Sequence, residues 1–205
     1  MKIKKEHTKE IILQTASRLF QRQGYSATGV NQIIEESGTP KGSLYYHFPK
    51  GKEEIALEAI NLMKQHVLKQ TAKDLTSTDN LIQAFQQHVN NIAVFFDSPC
   101  SLEGLKIGLL AAETANTHEP LRVACEQTFK EWQGLYAEKL EQNGYETTKA
   151  RELAVTINAL LEGATTLSLT SKNGDTLRLI ANQIPALLSH KELGGKMNEY
   201  RRSNE

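Results

Sequence analysis

The 205-residue chain is expected to fold entirely from α-helices, about nine of them, as a head of three short helices followed by a larger helical bundle. Three observations carry this reading. Apolar residues recur at spacings of three and four, the period of a helix with one buried face. No stretch shows the strict alternation of a half-buried strand. Five prolines and thirteen glycines punctuate the periodic segments, ending one helix or opening the next.

Ile12, Ala16, Leu19 and Phe20 form one stripe from Thr8 to Gln23, and Gly24 is a natural stop. Thr28 can cap a short second helix in which Val30, Ile33 and Ile34 share a face, ending at Ser37-Gly38. Thr39-Pro40 reads as N-cap and first helical position of a third helix that runs to Phe48, and Pro49-Lys50-Gly51 breaks the chain. A fourth, Lys52 to Gln70, aligns Ile55, Ala59, Ile60, Met63 and Val67 before a polar linker from Thr71 to Thr78. A fifth spans Asp79 to Asp97, stopped by Ser98-Pro99, and a sixth runs from Ser101 to Thr117. The seventh, Glu119 to Asn143, carries Leu121, Cys125, Phe129, Trp132, Tyr136 and Leu140 on one stripe. Thr147 to Lys172 and Asp175 to Leu188 complete the set around an Asn173-Gly174 turn. These elements divide into a head at 1–51, a body at 52–190 and a polar tail at 191–205.

Composition excludes several classes. Cys100 and Cys125 are too few for a disulfide framework, and the lysine-rich N-terminus has no apolar run behind it to make a signal peptide. Leu153 to Thr170 is the most apolar stretch, but Glu162, Asn158 and several threonines interrupt it, so no membrane span is expected. The five histidines outside the head's third helix (His7, His66, His88, His118, His190) lack ligand spacing, and no metal or cofactor is expected. Catalytic signatures are missing too: there is no Gly-x-Ser-x-Gly, phosphate-cradling glycine loop or His-Glu-x-x-His, so the chain does not read as an enzyme. The net charge of zero hides an asymmetry. Residues 1–52 hold nine Lys and Arg against four Glu, a net +5 that the remainder balances. A basic head on an acidic body suits contact with a polyanion at one end.

Three short helices, the last two joined by a tight Gly-containing turn, suggest a helix-turn-helix. Projected at 100° per residue, the third helix puts Leu44 and Phe48 on one side, facing the head's core. Gly42, Ser43, Tyr45 and Tyr46 spread over the other side, flanked by Lys41 and His47. Two adjacent tyrosines exposed on so short a helix suit a major groove, where rings meet thymine methyls and hydroxyls reach phosphates. Lys52, opening the next helix, can hold a phosphate. Lys2, Lys4 and Lys5 read either as a solvated tail or as an arm grazing the DNA.

These residues carry a resemblance. The segment from Ser17 to Ile60, with Phe20, Gly24-Tyr25, Thr28, Gly38, Lys41-Gly42-Ser43-Leu44-Tyr45, Phe48 and Lys52-Glu53 in place, resembles the DNA-binding domain of TetR/AcrR-family repressors. Phe-Pro-Lys-Gly-Lys-Glu at 48–53, Gly-Leu-Leu-Ala-Ala-Glu-Thr-Ala at 108–115 and Glu-Pro-Leu-Arg at 119–122 resemble the LmrA/YxaF-like subgroup of Gram-positive bacteria. The resemblance implies a homodimeric, cytoplasmic repressor whose head binds double-stranded operator DNA. Its body would dimerise and enclose a small-molecule effector, and efflux or drug-resistance genes are the family's usual targets. By motif, Ser43 and Tyr45 match positions that contact bases or nearby phosphates. Tyr46, His47 and Lys52 match phosphate-contacting positions, and Thr28 matches a helix cap that also touches the DNA backbone. Thr39, Pro40, Lys41 and Gly42 complete the expected DNA-facing set; Thr39-Pro40 departs from the Val-Ser that family members often carry.

For the body two readings stand beside each other. Phe95, Phe96, Phe129 and Trp132 are core by periodicity, whereas the resemblance makes them, with Leu105, Leu109 and Leu160, the wall of an effector pocket. Glu113 lies four residues after Leu109 on the stripe begun by Leu102 and Leu105, and reads as a ligand-facing acid or an exposed helix-end carboxylate. Leu160, Ala164, Leu167, Ile180, Ile184 and Leu187 offer apolar stripes for a dimer interface in the last two helices. A DNA-binding module without an effector, and a helical protein that binds no DNA, are the competing functions. A sizeable cavity beside Trp132 discriminates the first, operator binding the second.

Overall fold

A computed structural model describes residues 2–97 and 107–189, with side chains described from His7 onward. Among these residues nine α-helices and no strand occur: α1 (Lys2–Gln23), α2 (Val30–Ser37), α3 (Lys41–His47), α4 (Lys52–Leu75), α5 (Leu81–Val94), α6 (Ile107–Thr114), α7 (Glu119–Gln142), α8 (Thr147–Ser171) and α9 (Asp175–Leu188). The described residues group into two compact units, 2–70 with 107–132 and 71–97 with 133–189. Both α4 and α7 contain a point of division.

In the first unit the expected α1 stripe is buried, with Ile12, Ala16 and Leu19 fully so. Ile33 of α2, Leu44 and Phe48 of the third-helix segment, and Ile55, Ala59, Ile60 and Met63 of α4 join it in one cluster. Ile107 and Leu110 of α6 and Leu121 and Cys125 of α7 belong to the same cluster. α1 begins at Lys2, earlier than the expected Thr8, because nothing between Ile3 and His7 breaks a helix. Gly24, Gly38 and Gly51 adopt φ of 85°, 63° and 67° at the ends of the first three helical segments, the left-handed conformation that lets each chain turn sharply.

Two cap assignments differ from the sequence reading. Thr28 does not cap α2; Gly29 occupies the N-cap without a side-chain bond. The Thr28 hydroxyl is buried and donates to the Gly24 carbonyl at 2.7 Å, closing the α1–α2 turn instead. Pro40, with extended ψ of 142°, is the N-cap of α3 in place of Thr39. Thr39 is buried, its hydroxyl 2.7 Å from that of Ser37.

The second unit is organised by α9 packing against α5 and α8. The first part of the expected Thr71–Thr78 linker is in fact the last turn of α4, which runs to Leu75 with Thr71, Asp74 and Leu75 all buried. α5 opens on Asn80, whose Oδ1 accepts the Gln83 amide at 3.0 Å. It closes at Val94 in a run of tight bonds from the amides of Phe95, Phe96 and Asp97. α8 is apolar and long enough, by length and composition alone, to cross a membrane, a test that a buried core helix also passes. Its Leu153, Ala154, Ile157, Leu161 and Ala164 are nevertheless buried in this unit. The positive φ of the α8–α9 turn belongs to Lys172 (55°), while Gly174 has φ of −90°. Glycine is required at 174 for space: a Cβ there would run into the Ala93 carbonyl.

Candidate nucleic-acid interface

α3 has seven residues, too few to be a stable helix alone. It is held by its buried side, where Leu44 and Phe48 are both fully enclosed in the core of the first unit. Salt bridges tie the neighbouring helices around it. Arg18 of α1 meets Glu36 of α2 at 3.0 Å, and Lys9 of α1 meets Glu58 of α4 at 2.7 Å. With that side anchored, the other is fixed by geometry. Tyr45 is 41% and Tyr46 64% exposed, and Lys41, Gly42, Pro40 and Lys50 are exposed beside them. Ser43 and His47 are half-buried at the margins, with the His47 ring edge-on to Tyr46 at 5.0 Å between centroids. A Cβ on Gly42 would meet nothing within 4 Å, so that point of the face is open to an approaching surface.

The surface combines cationic groups, hydroxyls and two rings on one short helix, a set that can grip phosphates and meet base edges together. Of the ten candidate DNA contacts, Thr28 and Thr39 do not belong to it, because both are buried with their hydroxyls bonded internally. Lys52 is half-buried, its Nζ 4.1 Å from the centroid of the Tyr25 ring. Burial lowers its pKa, and the nearby Glu113 carboxylate works against that.

The effector candidates fall on both units. In the first, Trp132 is buried, Phe129 is half-buried against the core cluster, and Leu109 is 45% exposed. In the second, Phe95 and Leu160 are exposed and Phe96 is half-buried. Leu105 lies outside the described residues. The buried stripe of α6 is Ile107, Leu110 and Thr114, so Leu109 and Glu113 do not share an inward apolar face as expected. Sequence reasoning missed what Glu113 does. Its Oε2 accepts the Tyr25 amide at 2.7 Å and its Oε1 the Ser26 amide at 2.6 Å. Burial alone would raise its pKa, but these bonds and Lys52 hold it below the usual carboxylate value. An acid placed among apolar residues was the available signal; its partners, almost ninety positions away, were not visible.

Of the dimer candidates, Leu160 (38%) and Leu167 (57%) are exposed on α8, and Ile180 and Leu187 are half-buried on α9. Ala164 and Ile184 are buried within the unit and correct the expectation that they would lie on the interface. Ile184 forms part of a shallow apolar depression with Leu160, Ile180, Gln183, Ala186 and Leu187. No cluster of metal-ligating side chains occurs among the described residues. Cys125 is buried, which pushes its thiol up to about 11, the reverse of what a reactive thiol needs.

Comparison with known proteins gives a consistent picture. The family model for bacterial regulatory proteins of the tetR family matches residues 12–59, and that for the C-terminal domain of LmrA/YxaF-like transcriptional regulators matches residues 82–183. The HTH-type transcriptional regulator LmrA of Bacillus subtilis (strain 168) is 47% identical over 181 residues, 88% of this chain and 96% of the relative. The uncharacterized HTH-type transcriptional regulator YxaF of the same organism is 46% identical over 184 residues, 90% and 96% of the two chains. The crystal structure of a TetR transcriptional regulator from Chloroflexus aurantiacus J-10-FL has the same fold, with a TM-score of 0.80 at 23% identity and 92% and 97% coverage.

Proposed function

Because this chain belongs to the TetR family of bacterial transcriptional regulators, in its LmrA/YxaF-like branch, we propose that it is a cytoplasmic, ligand-responsive repressor that binds a near-palindromic operator as a dimer. One observation supports the DNA-binding part above all others. A seven-residue helix, bolted down through Leu44 and Phe48, holds two tyrosines out to solvent beside Lys41 and Lys50. Exposed rings and hydroxyls set beside cationic groups on one short segment suit a major groove, where base edges and phosphates are met together. Ser43 and Tyr45 would reach bases, while Tyr46, His47 and the lysines would hold phosphates.

Dimer formation is supported by the apolar face of α8 and α9, where Leu160, Leu167, Ile180 and Leu187 remain accessible. The same two helices from a second copy would pack on it as a four-helix arrangement. Two heads would then meet successive major-groove faces about 34–36 Å apart. A small apolar or aromatic effector bound by the body would act through α4, whose Ile55, Ala59 and Met63 are locked into the first unit's core. A differential affinity of about 2–3 kcal/mol between the two states suffices to loosen the operator roughly a hundredfold. Efflux or drug-resistance genes are the proposed targets.

The test is footprinting of the purified protein on the DNA flanking its own gene, with and without a panel of aromatic compounds. A protected near-palindrome released by one compound is expected. Trp132 is the chain's single tryptophan, so its fluorescence reports the same compound independently. Tyr45→Ala is expected to weaken the footprint by roughly five- to a hundredfold, since a base contact is worth about 1–3 kcal/mol, with the dimer intact by light scattering. No protection by the folded wild type at moderate salt would sink the proposal. Loss of the dimer along with DNA binding in the variant would make Tyr45 structural.

A further inference from the structure

The turn between α1 and α2 places α2, and with it α3, relative to the rest of the head. Gly24 starts it at φ 85°, and two of its bonds are internal: the Thr28 amide donates to the Tyr25 carbonyl at 3.1 Å and the Thr28 hydroxyl to the Gly24 carbonyl at 2.7 Å. The amides of Tyr25 and Ser26 both donate to one carboxylate, that of Glu113 in the last turn of α6. A carboxylate taking two backbone amides, one on each oxygen, fixes both distance and orientation, and charge-assisted bonds of this kind are roughly twice as strong as neutral ones. The approach is so close that a Cβ on Gly24 would lie 2.7 Å from Glu113 Oε2. The Tyr25 side chain extends the arrangement. Its buried ring has the Lys52 ammonium 4.1 Å from its centroid and the His118 ring edge-on at 4.7 Å. α6, the turn and the first residue of α4 are thus joined in a single cluster, and that first residue is a lysine the head would present to a phosphate.

We propose that Glu113 is a positioning residue for DNA binding: its carboxylate, held on the Tyr25 and Ser26 amides, couples α6 to the turn that orients the reading helix and to Lys52. The inference rests on the DNA-binding reading above and adds to it a connection made of named atoms. A shift of α6 acts on the head through two hydrogen bonds, and the charge that stabilises Lys52 moves with it.

Full-length wild type, Glu113→Gln and Glu113→Ala proteins test this. Hydrogen exchange at the Tyr25 and Ser26 amides is expected to quicken about tenfold in both variants, the change expected when a hydrogen bond to a charged group is lost. Affinity for the footprinted DNA is expected to fall by about tenfold, with dimer size and melting temperature held close to wild type. In a Lys52→Ala background the same Glu113→Gln change is expected to cost less than about threefold, because the two residues act as one unit. Unchanged exchange at the two amides overturns the proposal, and so does quickened exchange with operator affinity unmoved. An affinity loss that is fully additive with Lys52→Ala, or that tracks a general fall in melting temperature, overturns it in favour of a merely structural carboxylate. If the wild type itself leaves no footprint, the regulator reading has failed; if the wild type binds and the variants match it, only this inference has.

Discussion

The two ring nitrogens of His88, on α5, each meet a different buried partner: Asp74 Oδ2 lies 2.9 Å from Nδ1 and the Tyr136 hydroxyl 2.8 Å from Nε2. Asn91 Nδ2 donates to the other Asp74 oxygen at 2.8 Å. A carboxylate can only accept, so the network is satisfied when Nδ1 carries the proton and Nε2 accepts from Tyr136. All three groups of the chain Asp74–His88–Tyr136 are at least nine-tenths buried, where a lost partner is costly. His88→Leu is therefore expected to destabilise the protein by about 3 kcal/mol, since it removes the ring that bridges a buried acid and a buried hydroxyl. In a thermal melt that is a fall of roughly 6–12 °C for a chain of this size. A melt within a degree of wild type would show the network to be dispensable. The structural partners of His88 come from α4 and α7 and leave no local trace in the sequence.

Among the helices, α9 shows how one element compensates another. Pro185 lies inside it and has no amide to give the Ala181 carbonyl, the usual partner four residues back. Gln86 of α5 supplies the missing donor, its Nε2 reaching that carbonyl at 3.1 Å. Gln86→Ala is expected to cost about 1 kcal/mol in the wild type and close to nothing in a Pro185→Ala background, where the helix regains its own donor. A denaturant double-mutant cycle measures this, and equal costs in both backgrounds would refute it. The positions of the helices were legible from periodicity, Gly24, Gly38 and the boundary prolines. What was not legible were features decided by contacts between helices. The last turn of α4 looked like linker because its inward residues include Thr71 and Asp74, and Gly174 looked like a turn glycine although a neighbouring carbonyl is what excludes a side chain.

At the level of the whole molecule, the proposed dimer gives the clearest prediction. Leu160→Glu with Leu167→Glu places two charges on the accessible face of α8 and is expected to yield a folded monomer with much weakened operator binding. Light scattering and circular dichroism check it together; a dimer that persists would move the interface elsewhere. The helix proposed to face DNA could be read from the sequence because its motif is local, with Lys41 to Phe48 supplying both the anchors and the exposed face. The body was less legible, since its candidates are scattered over four helices and apolar spacing is the same for a core, a pocket and an interface. Ala164 and Ile184 illustrate the point: they share a stripe with Leu160 and Leu187, yet they are consumed inside their own unit.

The shortness of α3 bears on how a regulator of this kind can be re-engineered. Seven residues cannot hold a helical shape as a free peptide, so the exposed face of α3, the proposed reading surface, is not a portable cassette. The side chains proposed to read DNA are usable only when seated by Leu44 and Phe48 in a matching socket of α1, α2 and α4. On the proposed reading, transplanting a new preference would mean either editing Ser43 and Tyr45 in place or exchanging the head together with the side chains that grip those two anchors.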